Sequence, residues 1–161
     1  MGQTVTVTGS AEGGQSPYTF EYYFKRSTNI KWNTLNPSKP VFTPTAAADY
    51  EIKVVARDAQ GNEAVKIMDV KVAAALTNTS SVSSESVTAG TTVKVTGSAE
   101  GGFAPYTFEY YFKRSTNSKW NTLKTSNPSF TPTAAADYDV KVVATDSTGA
   151  KSTKVLQVKV S

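Results

Sequence analysis

An internal repeat constrains the fold of this chain more than any other feature. The segment Pro-Tyr-Thr-Phe-Glu-Tyr-Tyr-Phe-Lys begins at Pro17 and returns unchanged at Pro105, 88 residues later. Around it, residues 9–35 and 97–123 differ at only three positions. A period of this length in a chain of 161 residues predicts two copies of one domain. The near identity indicates a recent duplication, so sameness between the copies does not mark a binding site.

The two predicted domains are residues 1–73 and 74–161. The run Ala73-Ala74-Ala75 joins them, and a linker this short favours an end-to-end arrangement within a longer array of repeats. A domain of about 80 residues buries only about 60% of the surface that its unfolded chain exposes. Aromatic side chains must therefore supply much of the apolar burial in each domain.

The repeated aromatic segment has the pattern of a central β-strand. Aromatic and β-branched residues that alternate with a period of two fit a pleated surface with one buried face. We expect one set of side chains to face the core, namely Tyr18, Phe20, Tyr22 and Phe24. We expect the other set to face outward, namely Thr19, Glu21, Tyr23 and Lys25.

Similar alternation predicts further strands and an all-β fold. In the first copy they cover residues 2–9, 31–35, 42–45, 46–56 and 64–72. The alanines at 46–48 suit a helix, but Tyr50, Ile52 and Val54 alternate with polar residues and favour a strand. Tyr50 also follows a corner of small residues, as in the tyrosine corner of immunoglobulin-like sandwiches, and Tyr138 repeats it.

The first strand of a sandwich is predicted only in the second copy. Residues 76–88 form a polar stretch that ends in a turn at Ala89-Gly90 and supply this strand A. Residues 1–73 start at the following strand, so the first domain is predicted to lack strand A and to expose a sheet edge. No signal peptide precedes it, which predicts an excised piece with Met1 and Gly2 as an engineered start. We therefore expect domain one to be less stable than domain two, or to borrow a strand from a neighbour.

The composition argues against catalysis and against a cofactor. The chain has no Cys and no His, which removes thiol nucleophiles, Ser-His and Cys-His pairs, disulfides and most zinc sites. The carboxylates are scattered over loops and outward strand positions, whereas glycoside hydrolysis needs two that face each other across a cleft. Asp58 lies near Gly61 and Asn62 as in part of a calcium loop, but the lone acid favours a hairpin turn. We expect no enzyme activity, no metal and no cofactor.

Charge and hydropathy exclude two further classes of partner. The formal net charge of +4 is spread along the strands and accompanies no nucleic-acid-binding motif, so we expect no nucleic-acid partner. No apolar run approaches the roughly 20 residues of a membrane-spanning helix, so we expect no membrane insertion.

The assembled pattern resembles a known family of repeats. The residues that carry the resemblance are Tyr18-Thr19-Phe20-Glu21-Tyr22-Tyr23-Phe24, Trp32, and Asp49-Tyr50-Glu51-Ile52-Lys53-Val54-Val55-Ala56 before a Gly-containing hairpin. They resemble the immunoglobulin-like "triple tyrosine" repeats of secreted or wall-attached proteins of Gram-positive gut bacteria, and the likeness covers both copies almost end to end. It implies two tandem immunoglobulin-like β-sandwich domains outside the cell. It implies no binding residue, because such arrays serve as spacers and as adhesive surfaces.

Candidate binding residues come from the outward face of the central strand. Tyr23 and Tyr111 are aromatic side chains on that face, and such rings suit protein interfaces and sugar stacking unless a cross-strand partner covers them. Trp32 and Trp120 are expected in the core, as in many immunoglobulin-like domains, with an exposed platform as the alternative. The charged candidates around this platform are Lys25, Arg26, Lys113 and Arg114. For these lysines and arginines we favour a solvated cationic edge that discourages strand-to-strand aggregation.

The preferred function is a non-catalytic repeat of a bacterial cell-surface or secreted protein, which acts as a spacer and as an adhesive or host-binding module. We expect a monomer within a longer array. One alternative is direct binding of a host protein, with immunoglobulin as the specific hypothesis. A second alternative is carbohydrate binding by Tyr23 and Trp32.

Overall fold

A computed structural model describes residues 2–161, and every regular element in this range is a β-strand. Within residues 2–161, no helix has the length and apolar character that crossing a membrane requires. Contacts divide the chain into two compact units, the first ending at Ala74 and the second beginning at Ala75. We call them unit one and unit two and describe each by itself.

The described residues of unit one, 2–74, contain six antiparallel strands in two sheets. The strands are β1 (Val5–Thr6), β2 (Thr19–Arg26), β3 (Asn33–Thr34), β4 (Val41–Phe42), β5 (Ala48–Arg57) and β6 (Glu63–Val72). The small sheet pairs β1 with β4, and the large sheet has the order β3-β2-β5-β6. The eight to ten residues of β2, β5 and β6 make the large sheet the main surface of the unit.

Aromatic contacts join the two sheets of unit one into a sandwich. Phe42 of β4 stacks on Phe24 of β2 with ring centroids 4.9 Å apart and lies 5.7 Å from the ring of Tyr50 on β5. Tyr22, also on β2, is buried in the same cluster. Because Phe42 belongs to the small sheet and the other rings to the large one, the core lies between the sheets.

Unit two repeats this arrangement and adds strands before it. Its strands are β7 (Thr77–Asn78), β8 (Ser81–Val82), β9 (Ser86–Val87), β10 (Val93–Thr96), β11 (Ala99–Glu100), β12 (Thr107–Arg114), β13 (Asn121–Thr122), β14 (Ser129–Phe130), β15 (Ala136–Thr145) and β16 (Lys151–Val160). The sheet orders are β14-β10-β8, β11-β7 and β13-β12-β15-β16-β9. Phe130 packs against Phe112 and Tyr138, with ring centroids 4.8 and 5.9 Å apart, as Phe42 does in unit one.

The predicted strand A is present in unit two as three short strands. β8 pairs with β10 in one sheet, and β9 runs parallel to β16 at the edge of the other. The segment that follows Ala75 therefore passes from one sheet to the other, which completes an immunoglobulin-like sandwich. Unit one is the same sandwich without a counterpart of β7, β8, β9 and β11 among residues 2–74.

The tyrosine corners are confirmed in both units. The hydroxyl of Tyr50 donates a hydrogen bond to the carbonyl oxygen of Ala46 at 3.2 Å. Tyr138 donates in the same way to Ala134 at 3.4 Å. Both rings are buried, so each corner is tied to the core by a side chain that packs and bonds at once.

Two details of the sequence prediction are wrong. Tyr18 precedes β2 and lies outside the core cluster, because its hydroxyl donates to the carbonyl oxygen of Gly13 at 2.6 Å and holds the ring over that loop. The predicted strand at residues 2–9 forms ladder pairs only at Val5–Thr6, whereas its counterpart in unit two extends over Val93–Thr96. The longer strand has β8 as a second partner, and the shorter one has β4 alone.

Candidate functional site

The outer face of the large sheet carries a cluster of aromatic and cationic side chains in each unit. In unit one it consists of Tyr23, Lys25, Trp32 and Lys53, and we call this the lysine–aromatic face. Since Tyr22 points into the core, alternation turns Tyr23 and Lys25 to the opposite face of β2. The β2–β5 register places Lys53 directly opposite Tyr23.

Cation–π contacts hold the face together. The Lys53 ammonium lies 4.4 Å from the centroid of the Tyr23 ring and 4.9 Å from that of Trp32. The Lys25 ammonium lies 5.1 Å from the Trp32 centroid. Each such contact stabilises an exposed site by about 0.5–1 kcal/mol. Trp32 is half-buried beneath the two ammonium groups.

Lys25 is fixed by an acid and by a loop. Its ammonium lies 3.1 Å from the carboxylate of Glu51, its cross-strand neighbour on β5, and donates a hydrogen bond to the carbonyl oxygen of Asn29 at 3.1 Å. Only 13% of the Lys25 side chain is exposed. The sequence pattern indicated a solvated lysine, but Glu51, the Asn29 carbonyl and the Trp32 ring all lie close to its ammonium group.

The Tyr23 end of the face continues into a row of charges. The Tyr23 hydroxyl donates to the Glu21 carboxylate at 2.8 Å, and Arg57 bridges Glu21 at 3.8 Å and Glu63 at 2.7 Å. The hydrogen bond to Glu21 raises the pKa of the Tyr23 hydroxyl, with smaller contributions from burial and from the negative charge itself. Tyr23 therefore stays protonated and keeps its donor role at neutral pH.

Unit two presents the same face with matching distances. Lys141 lies 4.4 Å from the Tyr111 centroid and 4.6 Å from that of Trp120, and Lys113 lies 5.2 Å from Trp120. Lys113 pairs with Asp139 at 3.1 Å, where unit one has Glu51. A hydrogen bond from Ser115 lowers the pKa of Asp139, and Lys113 lowers it further.

The charge row beyond the tyrosine is not repeated. Thr145 and Lys151 occupy the positions of Arg57 and Glu63. Glu109 stands at the position of Glu21 and keeps the residue type, but its side chain is exposed. Among the described residues of unit two, Glu109 forms no salt bridge. The lysine–aromatic face is thus the shared part of the outer surface, and the charge row is particular to unit one.

The structure brings together most, but not all, of the predicted site residues. The tyrosines, tryptophans and lysines of each copy meet on the lysine–aromatic face. Arg26 and Arg114 do not, because they lie one residue further along the strand and on its opposite side. Arg114 donates instead to the hydroxyl of Tyr138 at 3.4 Å, at the end of the core.

The expectation that the tryptophans belong to the core is wrong. Neither Trp32 nor Trp120 is part of a core cluster, and Leu35 and Leu123 supply the buried side chains of that hairpin. Sequence reasoning also missed Lys53 and Lys141. Both lysines face outward directly opposite the central tyrosine of the neighbouring strand. This position can be identified only when the β2–β5 and β12–β15 registers are known.

The acid of the last hairpin loop in unit one holds the backbone of that loop in place by hydrogen bonds. The Asp58 carboxylate accepts hydrogen bonds from the Asn62 side chain at 3.0 Å and from the backbone N–H groups of Gln15, Gln60 and Asn62 at 2.9–3.2 Å. These bonds, led by the one from the Asn62 side chain, lower the pKa of Asp58 although burial opposes them. Within residues 2–161, no three acidic side chains gather as metal ligands.

Comparisons with known proteins add structural likenesses of low identity. No protein-family model matches the chain, and no curated protein sequence matches it. Fibronectin(III)-like modules of Clostridium thermocellum CbhA are similar, with 17% identity and a TM-score of 0.44 over 99% of this chain and 86% of that one. The amphioxus IgVJ-C2 molecule gives 11% identity and a TM-score of 0.48 over 98% and 97%.

A third similar structure concerns host cell surface retention of a 1.5-MDa bacterial ice-binding adhesin. It has 16% identity and a TM-score of 0.42, and it covers 99% of this chain, which spans 58% of that one. Because these three TM-scores lie below 0.5, the description of the fold rests on the strands and their pairing alone.

Proposed function

We propose that the chain is a non-catalytic repeat module of a bacterial cell-surface or secreted protein, which spaces other regions and binds a protein partner through its lysine–aromatic faces. The observation that carries the proposal is the position of the Lys53 ammonium on the outer face, 4.4 Å from the Tyr23 ring centroid and 4.9 Å from that of Trp32, with no salt bridge to a described residue. Two copies of one weak binding surface on a single chain multiply its affinity for a multivalent target.

The geometry favours a protein over a glycan. Sugar stacking needs an open aromatic ring, whereas ammonium groups lie over Trp32 and Tyr23. A mixed surface of half-buried rings and charges suits a protein interface. Lys53 forms no salt bridge with a described residue, so its ammonium is available to a carboxylate of the partner. The partner we propose therefore presents an acidic patch, and host immunoglobulin is the specific candidate.

The absence of catalysis is part of the proposal and is supported by the state of the carboxylates. Glu51 is held by Lys25, and Glu21 accepts from Tyr23 beside Arg57. Asp58 accepts hydrogen bonds from its own loop and from Gln15. Each of these three acids is thus engaged in contacts that hold the surface or its loop together. The resemblance to "triple tyrosine" repeats supports a place outside a bacterial cell.

The test is binding of the immobilised full chain to purified immunoglobulin and, in parallel, to serum protein, mucosal secretion and a glycan array. The informative variant joins Lys53→Gln to Lys141→Gln, because it removes the two free ammonium groups and keeps both rings. Ile30→Ser is the matched control, since Ile30 is 97% exposed, precedes Trp32 by two residues in the chain, and corresponds to Ser118 in unit two. Circular dichroism checks that each variant folds.

We expect a protein ligand that the control retains and the double variant loses by tenfold or more, with each single variant in between because of avidity. Retention of the same ligand by the double variant would contradict the proposed face. Binding of glycans alone would favour the carbohydrate alternative. If the unaltered chain retains no ligand, the binding role is contradicted and only the spacer role of the proposal remains.

A further inference from the structure

Each unit has a small pocket at one end of its core, apart from the lysine–aromatic face. In unit one this pocket has a volume of about 250 Å³ and lies between the end of β2, the turn after it and residues 43–45, which follow β4. Phe24 and Tyr50 line it from the core side, and Arg26 and Asn29 line it from the turn. Unit two has a pocket of about 280 Å³ at the matching place, around Arg114. We call this site the arginine pocket, and its walls come from strands that both units contain.

The arginine of this pocket has no acidic partner. Among residues 2–161, neither Arg26 nor Arg114 forms a salt bridge, whereas Arg57 pairs with two glutamates on the outer face. No described residue that lines the pocket in either unit is acidic. A guanidinium keeps its charge at every physiological pH and presents its N–H groups in a planar fork that matches a carboxylate. The pocket therefore offers an unpaired cation to an anionic group.

The strand register places each arginine beside the tyrosine of the corner. Arg26 lies opposite Tyr50, and Arg114 lies opposite Tyr138. The Nε of Arg114 donates to the Tyr138 hydroxyl at 3.4 Å, and that hydroxyl donates to the carbonyl oxygen of Ala134. This contact leaves the two terminal nitrogens of Arg114, which suit the two oxygens of one carboxylate.

Neutral polar groups surround the arginine in unit one. The N–H of Asn29 donates to the carbonyl oxygen of Arg26 at 2.9 Å, and the Asn29 carbonyl oxygen accepts from Lys25 at 3.1 Å. These bonds fix the turn, while the side-chain amide of Asn29 has no partner among the described residues. Asn33 donates only a long bond of 3.4 Å and keeps its amide oxygen as an acceptor. With the exposed hydroxyl of Thr45, the pocket presents both donors and acceptors around one cation.

We propose that the arginine pocket binds the end of an acidic glycan, namely one sugar ring that carries a carboxylate. The guanidinium pairs with the carboxylate, and the amides and the hydroxyl bond to sugar hydroxyls, which both donate and accept. The half-buried ring of Phe24 is an apolar floor for the C–H groups of the sugar. The volume suits one ring rather than an oligosaccharide. An acidic peptide side chain would pair with the arginine but would leave the amides unused.

This site is separate from the proposed protein-binding surface. Lys25 and Arg26 are consecutive residues of β2, so alternation directs Lys25 to the outer face and Arg26 to the core side. A substitution at Arg26 therefore removes the charge of the arginine pocket and keeps the lysine–aromatic face. The two proposals can fail independently.

The experiment titrates the isotopically labelled full chain with sodium glucuronate and follows the backbone amide shifts. We expect saturable shifts at residues 26–29 and 43–45 of unit one and at residues 114–117 and 131–133 of unit two. Glucose has the same ring without the carboxylate and is expected to bind about tenfold more weakly, because the charge-assisted hydrogen bonds are lost. Acetate and N-acetyl-glutamate amide carry the carboxylate without the ring. They are also expected to bind about tenfold more weakly, because they make no bonds to the amides.

Variants in unit one leave the pocket of unit two as an internal control. Arg26→Gln is expected to weaken glucuronate binding in unit one about tenfold or more and to leave the shifts of unit two unchanged. Arg26→Lys keeps the charge but lacks the planar fork, so we expect it to recover only part of the affinity. Lys31→Gln is the control for net charge, since Lys31 is exposed and does not line the pocket. It is expected to bind glucuronate like the unaltered chain, and the spectra show whether each variant folds.

Four results would overturn the proposal. Equal affinity for glucuronate and glucose would show that the arginine does not select the ligand. Equal affinity for acetate would indicate an adventitious ion only, and equal affinity for N-acetyl-glutamate amide would assign the pocket to an acidic peptide. Shifts centred on Trp32 that disappear in Lys53→Gln would place the sugar on the lysine–aromatic face instead.

Discussion

The two units share their aromatic core but differ in how well that core is shielded. In unit two, Val142 and Val158 are completely buried, whereas their counterparts Val54 and Val70 retain some exposure, with Val70 only half-buried. Residues 75–88 pack along the open side of unit two and pair with both of its sheets. The comparison teaches that the aromatic strand sets the fold, while the lead-in segment determines how completely the last strand is shielded from water.

The largest expected effect separates the units at the last strand. Val158→Ala is expected to destabilise unit two by about 2–3 kcal/mol, since it removes two methyl groups from a fully buried site. Val70→Ala at the matched position is expected to cost unit one about half as much, because Val70 is only half-buried. Denaturant unfolding of the full chain, followed by amide signals from each unit, measures both. Equal losses of unfolding free energy in the two variants would contradict the claim that the last strand is better shielded in unit two.

A smaller effect is expected at the polar bridge of unit two. Asn78→Ala removes the amide that bonds to Val142 and Ser152 and leaves buried carbonyl oxygens with fewer partners. We expect a loss of about 1–3 kcal/mol in unit two and none in unit one. The same unfolding experiment gives the result. Thr79→Ala is the neighbouring control, because its hydroxyl bonds to Ser98 at an exposed position.

The tyrosine corners should affect both units alike. Tyr50→Phe removes the hydrogen bond to Ala46, and Tyr138→Phe removes the bond to Ala134 and the long bond accepted from Arg114 at 3.4 Å, while both keep the buried ring. We expect about 0.5–1.5 kcal/mol in either unit. Thermal or denaturant unfolding of the two single variants provides the measurement. A difference larger than the one long bond from Arg114 can supply would show that the lead-in segment also acts on this corner.

Acid should produce the smallest differences. The pKa of Asp146 is lowered from 3.8, first by the hydrogen bond from Thr148 and further by backbone N–H groups, and Asp58 is lowered in the same direction. A carboxyl group with a lowered folded-state pKa contributes stability that is fully present above its unfolded pKa. This contribution is lost as the pH falls below 3.8 through the folded value.

Unfolding midpoints of the full chain between about pH 5 and about pH 2 test this effect. Asp146→Asn should flatten the profile of unit two and leave that of unit one unchanged. If the variant leaves the pH profile of unit two unchanged, Asp146 does not contribute to the pH dependence of its stability.

Much of the fold was predictable from sequence because the strong signals are local. Alternation around Tyr22 and Tyr50 placed the central strands, their buried faces and the tyrosine corners correctly. The polar stretch at 76–88 was also recognised as a lead-in strand. Its division into three short strands was not, since switching between sheets depends on the buried bonds of Asn78 and Ser80.

The candidate site was predictable only in part. Tyr23 and Lys25 follow from alternation along one strand. Lys53 does not, because its place opposite Tyr23, 30 residues earlier in the chain, depends on the register between two strands. Trp32 was assigned to the core by analogy, but the adjacent Leu35 fills that place and two lysines hold the indole on the outer face.

Amide hydrogen exchange of the unaltered full chain tests the central claim most directly, because it measures the opening free energy of each strand in one sample. If residues 75–88 shield the last strand of unit two, the amides around Val158 exchange at least about tenfold more slowly than those around Val70. Equal protection of the two strands would contradict the account, since β16, which pairs with residues 86–87, and β6, which has no such partner among residues 2–74, would then have the same stability.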